Sequence, residues 1–400
     1  MPLPAAGGPV HFLMTRKKGQ DKSDSLAAGG KPSLVKPTSG ASSARSGRLQ
    51  MEDIARLAGT ARSTVSRALN NSPLISEATR TRIIELARSL NYSVNVGAQS
   101  LRRRENRTIA LVIPADVASK QPISDPFFLS LVGSVADAVT DSGMDLLLSR
   151  VDSQHLDAVA GLYESGRAMG IVMVGQWLHH DQLNELALRD VPFVVWGARL
   201  ASALYPTVGS DNVKGGALAT QHLIDAGCRR IVFLGNRELP EVAQRHKGYA
   251  ETLHAAHLIV DPVLELPCAF QVEAARTALL SLLERRVSFD GLFAASDVLA
   301  MTAIYTLAEH GIRVPGDVRV VGFDDIAAAA YFHPPLTTVH QSVAEGGRAM
   351  VEMLRERIAS RSVPPRVLPT RLIVRDTSGA AAPPPARRAR TTSAKVKRKS

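Results

Sequence analysis

The 400-residue chain has two cysteines, Cys228 and Cys268. They are too few for a disulfide framework and suit the reducing cytoplasm. No run of 18 or more apolar residues occurs, so no membrane-spanning helix is expected. The first 14 residues lack a basic stretch followed by an apolar one, and a secretory signal is not expected; Met1 and Met14 both fit a translation start. No Cys/His set has zinc spacing, since the pair His179–His180 has no partners nearby in sequence, and no metal is expected. The phosphate loop G-x-x-x-x-G-K-[ST], a G-x-G-x-x-G after a strand and the G-x-S-x-G elbow are all missing. Neither a cofactor nor catalysis is expected. The adjacent acids Asp324 and Asp325 fit a helix cap at a strand end better than a catalytic pair.

Positive charge is abundant, and it is unevenly placed. The net charge is +11; residues 1–48 carry +6, 49–107 carry +5 and 377–400 carry +7, which leaves −7 on 108–376. A basic module joined to an acidic globular body points to nucleic acid at one end and another ligand at the other. Residues 1–47, rich in Gly, Ser, Pro, Lys and Ala without hydrophobic periodicity, read as a disordered extension. Residues 377–400 read as a Pro/Ala linker and a basic tract. That tail either adds salt-screened attraction to phosphates or is merely solvated.

Residues 48–94 carry three short helical patterns. "MEDIARLA" puts Met51, Ile54, Ala55 and Ala58 on one face, and Gly59 breaks it. "RSTVSRALN" buries Val65, Ala68 and Leu69, and the third pattern starts at the N-cap Ser76 and buries Ile83, Ile84, Ala87 and Leu90. Helix, Gly-containing turn and helix match helix-turn-helix spacing. The second helix packs Arg62, Ser63, Thr64, Ser66 and Arg67 into one run. A buried helix would not tolerate them, and a merely solvated one would favour Glu and Lys. In a helix-turn-helix these side chains face bases and phosphates. A small solvated three-helix bundle is the alternative that composition alone leaves open.

The exact residues narrow this further. "DIARLAGTARSTVSRALNNSPLISEATRTRIIELARSLNYSVN", with T-V-S-R-x-L-N at Thr64–Asn70 and T-R-x-R at Thr79–Arg82, closely resembles the headpiece of the lactose/galactose repressor family of bacterial transcription regulators. The resemblance implies that Arg62 and Ser63 take the two most base-selective places. Arg67 takes the place of an arginine touching bases and backbone, with guanine its natural target. Thr64, Ser66 and Asn70 match phosphate-contacting or packing positions. Two caps depart from the family: Gln50 and Ala61 stand where it usually has Thr and Ser, and Thr60 is an alternative cap one residue earlier. Residues 95–107 resemble the family's hinge, in which Asn95 is matched and Leu101 matches the leucine that wedges into the minor groove. Gly97 lowers helix propensity there, and a flexible basic linker is the alternative.

From Thr108 strands and helices alternate. "TIALVIP", "MDLLLS", "AMGIVMV", "PFVVWG", "RRIVFLG", "GLFAAS" and "DVRVVGF" are apolar runs of the kind found in parallel strands covered on both faces. Doubly wound sheets are therefore expected, with a ligand at the carboxyl ends of the strands. "DPFF", "GSDNVKGG", "RHKGY", "VVGFDD" and "PPLTTVHQ" resemble landmarks of the same family. That implies, over 108–376, an α/β two-lobed effector-binding and dimerisation domain like periplasmic sugar-binding proteins. The lobes are expected to divide near Gly209 and to rejoin near Leu336. By resemblance Phe127, Phe128, Arg245, Phe270, Ser296 and Asp324 line the effector cleft, and Trp196 is expected to join them as a flat stacking surface that compensates for departures from the family at Ser296 and Gly197. Ser296 stands where many members have Asn, and Gly197 where many have Asp.

The expectation is a cytoplasmic, homodimeric repressor binding pseudo-palindromic double-stranded operator DNA, released by a mono- or disaccharide. A sugar-transport component would need an export signal and has no use for a headpiece. An enzyme would need a nucleophile or paired acids in the cleft.

Overall fold

The computed structural model describes residues 49–90, 92, 106–115, 121–152, 155–176 and 179–379. The extension 1–47, the hinge residues Asn95 and Leu101 and the tail beyond 379 lie outside these residues. Two units divide the chain between Val94 and Asn95.

The first unit contains α1 (Met51–Leu57), α2 (Arg62–Leu69) and α3 (Glu77–Ser89). Ile54, Ala55, Val65, Ala68 and Ile83 are buried together, ringed by Met51, Leu69, Leu86, Leu90 and Tyr92. Ile84, expected in this core, is replaced there by Leu86. From Ile83 the inward stripe runs to 86, 87 and 90, the i, i+3, i+4, i+7 spacing of one helix face, and Ile84 is about 100° off it.

In α1 the Asp53 carboxylate accepts from the Gln50 N–H at 2.9 Å. In α3 the Ser76 hydroxyl accepts from the Thr79 N–H at 3.3 Å. Ala61 is the N-cap of α2 and offers no side-chain acceptor. The Thr60 hydroxyl, the alternative cap, is buried without a partner. Arg82 donates to the Ala58 carbonyl at 3.0 Å and Arg80 to the Ser72 carbonyl at 2.9 Å, so the T-R-x-R arginines fasten α3 to the two turns.

The second unit is built on two six-stranded sheets among the described residues. The first lobe contains β1 (Thr108–Ala115), α4 (Pro126–Asp141), β2 (Asp145–Asp152), α5 (Asp157–Glu164), β3 (Gly170–Val174), α6 (His180–Leu188), β4 (Phe193–Trp196) and β5 (Thr207–Ser210). The second holds α7 (Asn212–Asp225), β6 (Ile231–Leu234), α8 (Pro240–Ala255), β7 (Glu265–Leu266), α9 (Val272–Glu284), β8 (Gly291–Ala294), α10 (Asp297–Glu309), β9 (Arg319–Asp324) and β10 (Thr337–Gln341). The chain then returns to the first lobe for α11 (Val343–Ile358) and β11 (Arg366–Leu368), and ends in the second with β12 (Thr370–Ile373). Sheet orders are β11-β5-β4-β3-β1-β2 and β12-β10-β9-β8-β6-β7. Every pairing is parallel except β10 with β12. The buried runs of β3, β4, β6 and β8 are covered on both faces, as their uninterrupted apolar sequence requires.

The chain crosses between lobes three times, at Asp211, after Gln341 and at Pro369. The first crossing adjoins Gly209 as expected. The return is later than Leu336, because Leu336 is fully buried in the second-lobe core and β10 completes that sheet first. The third crossing was not foreseen; β11 and β12 are too short to stand out as apolar runs. The tail expected from 377 also begins later. Thr377 and Ser378 are buried, and the Thr377 hydroxyl accepts from the Thr337 N–H at 2.9 Å. No helix among the described residues is long and apolar enough to cross a membrane.

The uncapped start of α2 leaves first-turn N–H groups without a side-chain acceptor. Ala61→Ser should therefore stabilise the first unit by roughly 0.5–2 kcal/mol, while Thr60→Ala should have little effect. Thermal unfolding of residues 48–107 checks both; a costly Thr60→Ala would move the helix start back by one residue.

Candidate functional site

Along α2 the side chains sort by exposure. Arg62, Ser63 and Arg67 are exposed, Thr64, Ser66 and Asn70 are half-buried, and Val65 and Ala68 face the core. This follows from the helical repeat, which turns 62, 63 and 67 away from 65 and 68. The Asn70 amide donates to the Ser66 carbonyl at 2.7 Å and closes the last turn, a packing role. Arg62 forms an ion pair with Glu52 of α1 at 2.7 Å. Glu52 had no signal in the sequence beyond an acid in a first helical turn.

In the second unit a cleft opens between the lobes, at the carboxyl ends of β3, β4 and β9. Phe127, Phe128 and Trp196 line it from the first lobe; Arg245, Phe270, Ser296 and Asp324 line it from the second. All seven expected side chains line one cavity. Phe127 is held 6.1 Å from Phe128 and 6.0 Å from Trp196, centroid to centroid, giving an angled aromatic wall. Trp196 belongs to the first-lobe core as well. Ser296 has a second duty, since its hydroxyl caps α10 by accepting from the Leu299 N–H at 3.2 Å. At Gly197 a Cβ would lie 2.8 Å from the Gln176 amide oxygen, so Gln176 occupies the space that an Asp side chain would need. Its amide nitrogen donates to the Ala198 carbonyl at 2.8 Å and the Tyr205 hydroxyl at 3.0 Å.

Arg245 is 6% exposed. Its Nε donates to Asn212 Oδ1 at 2.9 Å, and a terminal nitrogen donates to the Ala295 carbonyl. The guanidinium lies 3.8 Å above the Phe323 ring, a cation–π contact strengthened by burial. Two glycines make this possible. A Cβ at Gly216 would meet the Arg245 carbonyl at 2.0 Å, and one at Gly248 the Val213 carbonyl at 2.0 Å, so α7 and α8 touch backbone to backbone.

Asp324 and Asp325 do not cap a helix, as the sequence had implied. Both have positive φ, 123° and 56°, a strained backbone for non-glycine residues. Neighbours hold the strain. Asp325 binds His340 at 2.9 Å and Arg375 at 2.7 Å, Gln341 donates to Asp324 at 2.7 Å, and buried Asp297 accepts from the Ile326 N–H at 2.9 Å. Asp324 is thereby aimed into the cleft. Burial raises its pKa well above the ordinary carboxylate value; Arg245 opposes that rise, and Asp297 and Asp125 add to it. Sequence reasoning missed Glu241 and Asp125, which also line the cavity. Glu241 stands four residues before Arg245 on α8, a spacing that could have flagged it. Burial raises its pKa too.

Two family models match the chain: bacterial regulatory proteins of the lacI family over residues 50–95, and a periplasmic binding protein-like domain over 220–378. The transcriptional regulator CelR of Thermobifida fusca is 34% identical over 338 residues, 82% of this chain and 98% of that protein. The chain belongs to the lacI family. A solved CelR–cellobiose complex is similar with a TM-score of 0.63 and 31% identity, over 83% of this chain and 100% of the other. The lac repressor dimer bound to operator and an anti-inducer matches with a TM-score of 0.73 over 84% of this chain and 100% of the other. At 22% identity that likeness shows the fold. As a lacI-family member this chain is a DNA-binding transcription regulator of two-lobed α/β architecture with a helix-turn-helix headpiece.

The raised pKa of Asp324 sets a pH dependence. A carboxyl whose folded pKa exceeds its unfolded one stabilises the fold below the unfolded value, and that contribution is lost as pH rises through the folded value. Asp324→Asn cannot ionise, so its melting temperature relative to the native protein should climb over the range from about pH 4, the ordinary carboxylate value, upward. A difference that stays flat or falls across this range contradicts the assignment.

Proposed function

We propose that this regulator is a cytoplasmic, homodimeric repressor of carbohydrate-utilisation genes, released from its operator by a neutral mono- or disaccharide. The observation that carries the reading is the charge and shape of the cleft. Phe127, Trp196 and Phe270 offer flat apolar faces, while Asp125, Glu241 and Asp324 outnumber the single guanidinium of Arg245. Carboxylates accept from hydroxyls, the guanidinium donates to ring and hydroxyl oxygens, and aromatic faces cover C–H surfaces. An anionic ligand would find Arg245 as the one cation among the cleft's lining residues, already engaged by Asn212 and the Ala295 carbonyl. The likeness to a regulator solved with cellobiose supports a sugar. Nothing in this arrangement asks the protein to make or break a covalent bond; its work is binding and switching.

On DNA, Arg62, Ser63 and Arg67 read base edges, Thr64, Ser66 and Asn70 contact the backbone or pack, and Asn95 and Leu101 act in the minor groove as a hinge pair. Effector closure of the lobes shifts the spacing of the two hinges. The two sites are coupled by about 1–3 kcal/mol, and the coupling is reciprocal.

Arg67→Ala should weaken operator binding by about 1–3 kcal/mol and change binding to random DNA little. Equal loss on both sequences would reduce Arg67 to a phosphate contact. Footprints should be pseudo-palindromic; direct repeats contradict the paired dimer. In a thermal-shift screen neutral mono- and disaccharides should raise the melting temperature and sugar phosphates should not. A shift given by the phosphates alone overturns the proposed effector class.

A further inference from the structure

The ion pair between Arg62 and Glu52 calls for an explanation that folding does not supply. Both side chains are about half exposed, at 48% and 52%, and their Nη1 and Oε1 atoms are 2.7 Å apart. A solvent-exposed pair of this kind adds little stability. Arg62 is the first residue of α2 and Glu52 the second of α1, so the pair bridges the two helix N-termini. A carboxylate at a surface meant for DNA is repelled by phosphates, and its presence costs affinity for every sequence. A hydrogen bond accepted from a base amino group offsets that cost on the sequences that carry the base.

We propose that Glu52 is a specificity-determining residue, and that with Arg62 it reads a single G·C pair in the major groove. This rests on the reading of α2 as the base-contacting helix. The chemistry is complementary edge to edge. Guanine shows two acceptors, O6 and N7, to a guanidinium, and its paired cytosine shows the N4 amino group, a donor, to a carboxylate. An Arg–Glu pair held side by side presents donors and then an acceptor in the same order. With two guanidinium donors on the base edge, an A·T pair, which presents acceptor, donor and acceptor, sets one Arg62 N–H against the adenine amino group and Glu52 against the thymine O4. The ion pair also limits the rotamers of Arg62 before DNA arrives, so less freedom is lost on binding.

The test uses the full chain and an operator selected by the native protein from randomised DNA. Binding is then measured at fixed salt on operators carrying each of the four base pairs at every half-site position, and on random DNA. Glu52→Ala and Glu52→Gln should each reduce the preference for G·C at one position by about five- to tenfold and leave the other positions unchanged. Arg62→Ala should flatten the same position, and the double variant should flatten it no further, because the two side chains act as one unit. The proposal is overturned if Glu52→Gln tightens binding equally on all sequences with every preference intact, which marks a charge effect alone. It is also overturned if the variants lower the melting temperature without touching preference, since an acid near a helix N-terminus then has only a structural role. Failure of the native protein to enrich any sequence would instead sink the DNA reading on which this rests.

Discussion

A buried guanidinium is the constraint around which the second unit is arranged. Taking the charge of Arg245 out of water is expensive unless partners surround it. Asn212 and the Ala295 carbonyl take its hydrogens, Phe323 lies beneath it, and Asp324 and Glu241 supply the opposing charge. They come from the start of α7, the loop after β8, the end of β9 and the first turn of α8, the helix that carries Arg245 itself. The helices α7 and α8 must touch at Gly216 and Gly248 for Asn212 to reach it. The loop after β9 must adopt positive φ for Asp324 to aim at the same cavity. The cation therefore imposes geometry on the lobe.

Strain and polarity at Asp324 belong to the same economy. A backbone strained at two successive residues persists only when its surroundings over-determine it. Here a network from His340, Arg375, Gln341 and Asp297 holds the loop from several sides. Gln341 also accepts from the Ser210 hydroxyl at 2.7 Å, beside the first crossing between lobes. The cleft and the first crossing between lobes thus share a side chain. Relative movement of the lobes must disturb Gln341, and with it a partner of Asp324. This gives effector binding a physical path to lobe position.

In the headpiece the legible part was the pattern of apolar positions. Val65 and Ala68 are buried and Arg62, Ser63 and Arg67 are exposed because a 3.6-residue repeat leaves little choice. The spacing to T-V-S-R favoured Ala61 over Thr60 as the cap of α2, and the backbone places it there. Glu52 was invisible, because its partner is ten residues away and meets it through the helix–turn–helix corner.

Sequence by itself determined the class of the fold, through apolar strands alternating with amphipathic helices. Resemblance in motifs such as "DPFF", at the start of α4, and "VVGFDD", at the end of β9, pointed to most of the cleft's lining. Short-range periodicity and turn chemistry are local properties, so they can be read along a chain. Tertiary structure alone decided the third crossing at Pro369, the burial of Thr377 and Ser378, the filling of the space over Gly197 by Gln176, and the entry of Glu241 and Asp125 into the cleft. Each of these depends on segments far apart in sequence competing for the same volume or the same charge, and that competition is settled only when the lobes pack.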